Sequence, residues 1–105
     1  MGNPRPKPER LAEKLLQIRT AFRLSQTDML LRLGVEDLIS YSKISSYESG
    51  AREPTLKILL QYARVAGVNM EALADDELDL PDTLPGPTNH DDIKRTFAPR
   101  SKRNR

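Results

Sequence analysis

The chain has 105 residues, of which 37% are hydrophobic and 30% charged, with no Cys and a formal net charge of +2. That length suits one compact domain and not two, and the lack of Cys excludes a disulfide framework, a thiolate metal site and a cysteine nucleophile. No apolar run approaches the roughly 18 to 20 residues of a membrane-spanning helix, and the start lacks the apolar stretch of a secretory signal, so the expected location is cytoplasmic.

Residues 1–8 hold Pro4, Pro6 and Pro8 and no apolar residue after Met1. They read as a flexible basic arm, with Pro8 suited to enter a first helix because its missing N–H costs nothing there. Leu11, Leu15, Ile18 and Phe22 then recur at helical spacing and predict an amphipathic helix of about four turns. Ser25 is a good N-cap for a second helix, with Asp28 three residues on in the place of the capping-box Glu. Met29, Leu30 and Leu33 give that helix its apolar face, and Gly34 ends it.

The stretch Val35 to Ile39 shows no period. A third short helix is expected from Tyr41 to Glu48, capped by Ser40, with Ile44 and Tyr47 turned inward and Gly50 closing it. Thr55 caps a fourth helix after Pro54, with Leu56, Leu59, Leu60, Ala63 and Ala66 at helical spacing and Gly67 as its stop. Asn69 caps a fifth, containing Met70 and Leu73. Pro81, Pro85, Gly86 and Pro87 cannot continue a helix.

The pattern predicts an all-α domain of five helices over residues 9–74, with flexible arms on both sides. Residues 75–105 read as an acidic linker followed by a basic tail, largely disordered. Residues 71–82 hold Glu71, Asp75, Asp76, Glu77, Asp79 and Asp82 with no Lys or Arg, and residues 94–105 hold Lys94, Arg95, Arg100, Lys102, Arg103 and Arg105 with no acid. Basic arms of this kind are suited to nucleic acid, although a solvated tail has the same composition.

A capped short helix, a glycine turn and a second capped helix rich in small polar residues make a helix-turn-helix. That motif presents the start of its second helix to the major groove. Residues at ordered spacing carry a further resemblance: Leu15, Ile18 and Arg19, then Leu24-Ser25-Gln26, Leu33-Gly34-Val35, Ile44-Ser45 and Tyr47-Glu48-Ser49-Gly50. Arg52-Glu53-Pro54-Thr55-Leu56, then Ala63, Ala66-Gly67-Val68 and Leu73, complete it.

The segment from Leu11 to Leu73 resembles the phage repressor and Cro proteins, the XRE family of helix-turn-helix DNA-binding proteins. The resemblance implies that Gln26 binds a DNA phosphate and supports the reading helix, and that Arg19 and Glu48 form a structural ion pair between the first and third helices. It places base reading on Tyr41, Ser42 and Ser46, with Lys43 and Ser45 nearby, and phosphate contacts on Ser49 and Arg52. The implied partner is double-stranded DNA, with a homodimer on a palindromic operator admitted by the family's usual symmetry, and the implied role is transcription regulation as a repressor.

Three departures stand out. Eight residues separate Val35 from Ile44, four more than in the family pattern, which leaves the register of Tyr41 and Ser42 on DNA open. Arg23 stands where Gly or another left-handed former is common, implying mild strain or a different link between the first two helices. Leu30 replaces the usual Ala, which favours wider packing of the second helix on the third.

The inserted Leu38 and Ile39 read either as a partner patch or as a loop folded over the core. Tyr41 likewise reads as a groove contact or as an anchor at a protein interface. His90, beside Asp91 and Asp92, has no second ligand at metal spacing and reads as surface. The chain shows no phosphate-cradling glycine loop, no nucleophile with a base at recognisable spacing and no metal cluster, so neither an enzyme nor a cofactor is expected. The alternative reading is a protein-interaction module of the same fold, antitoxin-like or a transcription-bridging factor, favoured by the acidic strip and the Leu38-Ile39 insertion.

Overall fold

The computed structural model describes residues 7–87. Among them the expected five helices form, α1 Leu11–Ala21, α2 Gln26–Leu33, α3 Tyr41–Ser49, α4 Leu56–Ala66 and α5 Met70–Ala74, with no strand. The all-α architecture follows from the apolar spacing. Leu15 and Ile18 of α1, Met29 and Leu33 of α2, Ile44 and Tyr47 of α3, Ile58, Leu59, Tyr62 and Ala66 of α4, and Leu73 of α5 all enter one core. The third helix packs against both α1 and α2, which fixes its orientation from two sides.

The first helix is shorter than its apolar stripe suggests. Its C-cap is Phe22, because Arg23 adopts a left-handed backbone with φ 58°. The Arg23 N–H donates to the Thr20 carbonyl at 3.0 Å and the Leu24 N–H to the Arg19 carbonyl at 3.1 Å, the paired closure that usually places glycine at the left-handed position. A side chain there costs about 1 kcal/mol or more relative to glycine. The strain anticipated at Arg23 is present.

The second helix is capped as expected, the Ser25 hydroxyl accepting the Asp28 N–H at 3.0 Å. The inserted residues that follow form one tight turn. The Val35 carbonyl accepts both the Leu38 N–H at 2.8 Å and the Ile39 N–H at 3.1 Å. The two apolar residues of this turn part company. Ile39 packs on the core, whereas Leu38 stays 60% exposed. The third helix then begins at Tyr41 after Ser40, as the sequence predicts, but the Ser40 hydroxyl pairs with the Ser42 hydroxyl at 2.8 Å instead of capping a helix N–H. In α4 the Thr55 hydroxyl accepts the Ile58 N–H at 3.4 Å.

The packed body continues past Ala74, beyond the boundary read from the sequence. The Asp76 carboxylate accepts the Glu9 and Arg10 N–H groups, each at 3.0 Å, and so caps the approach to α1 from far along the chain. Helix α1 therefore starts after Arg10, with Pro8 ahead of it rather than in its first turn. Arg10 returns the contact, donating to the carbonyls of Asp76 at 2.9 Å and Leu78 at 3.3 Å and to the Asp79 carboxylate at 2.6 Å. Leu80 is buried in the common core and Leu84 packs against it.

The chain then crosses the end of α4, where the Gly86 N–H donates to the Ala66 carbonyl at 3.0 Å. The backbones meet so closely that a Cβ on Gly67 would collide with the Gly86 carbonyl oxygen. Glycine at position 67 thus serves both the left-handed helix end and this crossing. The basic tail, His90 and the N-terminal prolines Pro4 and Pro6 lie outside the described residues.

Candidate nucleic-acid interface

The third helix turns two very different faces outward and inward. Ile44 is fully buried and Tyr47 only 4% exposed. Glu48 lies one helical turn after Ile44 on the same side and meets Arg19 of α1. The Arg19 Nε sits 2.6 Å from Glu48 Oε2, its Nη2 donates to Oε1 at 3.0 Å, and its Nη1 donates to the Leu24 carbonyl at 2.9 Å. One guanidinium therefore ties α1, the turn after it and α3 together. The hydrogen bond to Glu48 raises the Arg19 pKa above its ordinary value.

Gln26, at the first position of α2, lies beside this pair, its side-chain amide 3.5 Å from Glu48 Oε1. Tyr62 of α4 backs the same region. It is fully buried, its hydroxyl has no hydrogen-bond partner among the described residues, and burial and then Glu48 push its pKa up.

The opposite face of α3 consists of Ser42, Ser45, Ser46 and Ser49. Ser42, Ser45 and Ser49 are exposed and Ser46 is half-buried. Three of the four hydroxyls are already engaged. Ser46 donates to the Ser42 carbonyl at 3.3 Å, Ser49 donates to the Ser46 carbonyl at 3.2 Å, and Ser42 pairs with Ser40. Donation from Ser49 to a phosphate therefore requires release of its bond to Ser46.

Tyr41, 57% exposed, stands at the entrance to the helix. Lys43 is half-buried and does not join the serine face. With Leu38, Ile39, Tyr47, Arg52 and Leu56 it lines an open groove between α3 and the start of α4. The structure therefore brings Tyr41, Ser42, Ser45 and Ser46 onto the outward side of α3, with Gln26 at one flank, and sets Lys43 and Arg52 on the other flank.

Sequence reasoning missed Arg10 and Lys14. Lys14 is 1% exposed, its ammonium donating to the carbonyls of Ala72 at 2.8 Å and Asp75 at 2.9 Å. A signal was present. Lys14 falls three residues after Leu11 and four before Ile18, inside the apolar stripe where a solvated cation has no place.

Among the described residues no helix is long and apolar enough to cross a membrane. A family model described as Helix-turn-helix matches residues 15–73, from inside α1 through α5. No curated protein and no solved structure gives a significant match.

Proposed function

The chain belongs to the repressor- and Cro-like helix-turn-helix family, a family of DNA-binding transcription regulators, and from that premise we propose that it binds specific duplex sites as a repressor, with α3 in the major groove. The observation that carries this reading is the outward face of α3, four serines with Tyr41 at the helix entrance, backed by a buried ion pair. A helix can only read bases if its backbone approaches closely, and serines permit that approach. Tyr41, Ser42 and Ser46 are the base readers on this reading, with Ser45 beside them and Lys43 reaching from the flank. Gln26, Ser49 and Arg52 hold phosphates, and the Arg19–Glu48 pair keeps α3 at a fixed angle to α1.

A homodimer on a palindromic site, with half-sites about 34 to 36 Å apart, is the simplest assembly that gives useful specificity. Selection of bound sequences from a random DNA pool tests function and symmetry together. A palindromic product supports the dimer, a single unrepeated half-site rejects it, and no binding in a gel shift at low salt rejects DNA recognition. Gln26→Ala is expected to weaken binding to selected and scrambled DNA in equal proportion, since phosphate contacts position a protein without carrying sequence information. A loss confined to the selected site makes Gln26 a base reader instead.

A second reading has one observation in its favour. Leu38 and Leu56 are 60% and 77% exposed and line the same groove. A protein-interaction module of this fold is the outcome if the gel shift fails and a partner protein protects these leucines.

A further inference from the structure

The serine face of α3 has a polarity. A hydroxyl carries one hydrogen and two acceptor lone pairs. On this face the hydrogens of Ser46 and Ser49 are directed back at helix carbonyls, and one of the Ser40 and Ser42 hydroxyls donates to the other, which keeps its own hydrogen. What projects outward from Ser46 is lone pairs. Ser49 is more fully engaged, because its oxygen also accepts the Ala51 N–H at 3.4 Å.

The helix also exposes the Tyr41 and Ser45 hydroxyls, which can donate or accept, but it offers no bidentate reader. It holds no Arg, Asn or Gln, the side chains that pair bidentately with guanine or adenine. Its one acid, Glu48, is bonded to Arg19, and its one cation, Lys43, lines the flanking groove.

We infer, on the DNA-binding reading above, that Ser46 reads bases as an acceptor and is the specificity-determining residue of α3, selecting edges that donate in the major groove. Those edges are the adenine N6 and cytosine N4 amino groups. Guanine offers only the N7 and O6 acceptors in the major groove. To donate to either, Ser46 must break its bond to the Ser42 carbonyl, whereas accepting from an amino group leaves that bond intact. Every base pair carries one such amino group, at a place in the groove that differs between pairs, so sequence choice follows from hydrogen-bond direction at the position Ser46 reaches.

The test uses the full chain and a site selected from random DNA, resynthesised with single-atom changes. Purine 2′-deoxyriboside in place of deoxyadenosine, or pyrimidin-2-one in place of cytosine, removes one amino donor, and 7-deazapurines remove the N7 acceptor. Amino deletion is expected to cost roughly two- to tenfold in affinity at one or more positions under α3, the range of a single neutral hydrogen bond. N7 deletion at the same base pairs is expected to leave affinity unchanged.

Ser46→Ala, a change near the surface, abolishes the amino-group effect while the unmodified fold persists by circular dichroism. Ser46→Thr, which keeps both the hydroxyl and the back bond, retains it. Sensitivity to N7 deletion without sensitivity to amino deletion overturns the inference, as does a site indifferent to both. Failure to select any site overturns the repressor reading itself, so the two failures are told apart by the first step.

Discussion

Arg19 at the end of α1 and Arg10 with Lys14 at its start are cations of similar reach that hold the same helix by different means. At the Arg19 end, the guanidinium and its carboxylate are largely removed from water, with side chains 18% and 6% exposed. At the other end, Arg10 meets Asp79 in the open, at 35% and 79% exposure, and divides its bonds between the Glu13 and Asp79 carboxylates and two backbone carbonyls. Lys14 goes further and is buried against two carbonyls, with no acid among the described residues directly bonded to it. A buried charge paired with a charge depends wholly on its partner, whereas one shared among carbonyls depends on a whole segment staying in place. The first arrangement is a strut and the second is a clasp.

The largest test of that contrast is Arg19→Ala. It leaves Glu48 buried without its cation, and breaking a buried pair costs about 3 to 5 kcal/mol. Thermal unfolding without DNA is expected to show a large fall in Tm, and an unchanged Tm would remove the strut from this account. Lys14→Met comes next. It keeps an apolar stem on the core face but strips the Ala72 carbonyl of its donor and leaves the Asp75 carbonyl with the Leu78 N–H alone, for an expected loss of about 1 to 3 kcal/mol by urea unfolding. A loss as large as that of Arg19→Ala would make the clasp the equal of the strut.

Asp76 sharpens the comparison through pH. The N–H bonds from Glu9 and then Arg10 hold its pKa below the ordinary 3.8. Its contribution is therefore complete above that value and is lost as pH falls through the lower folded value. Acid unfolding of the natural chain is expected to steepen in that window, and Asp76→Asn to flatten the dependence. Parallel curves would show that the carboxylate charge does not matter to the cap.

The smallest effect belongs to Tyr62→Phe beside the strut. The hydroxyl is buried with no hydrogen bond among the described residues, so its removal is expected to leave stability unchanged or raise it by up to about 1 kcal/mol. A clear loss would mean that Tyr62 supports Glu48 directly.

The two regions also differ in how far a sequence can reveal them. The helices up to Ala74 announce themselves through apolar spacing, Ser25 and Thr55 as working caps, and glycines at three helix ends. The resemblance of Arg19 and Glu48 to a known pair is legible because both partners are side chains with fixed places in the pattern. The clasp is hidden because its acceptors are carbonyls, which every residue carries, and its capping acid lies far away in sequence from the N–H groups it caps. The segment after Ala74 offers only Leu80 and Leu84 as apolar anchors, spaced among prolines and acids, too sparse to give a period. The spacing of Ile44 and Tyr47 makes the outward side of α3 legible, with Tyr41, Ser42, Ser45 and Ser46 on it, but not the half-buried place of Lys43, and contact with bases depends on DNA and not on the fold.

The crossing of Gly86 over Gly67 bears on how this domain can be moved. A fragment cut to the matched span of 15–73 begins inside α1 and omits Arg10, Lys14, Asp76 and Leu80, and so would travel without its clasp. A portable unit for a fusion or a transplant into another chain has to keep the span from Glu9 to Gly86, which carries these contacts. Gly86 lies against the Phe22 ring at the corner between α1 and α2. A passenger domain attached after Pro87 is therefore tethered at that corner, and its linker length has to be measured from Phe22 rather than from the end of α5.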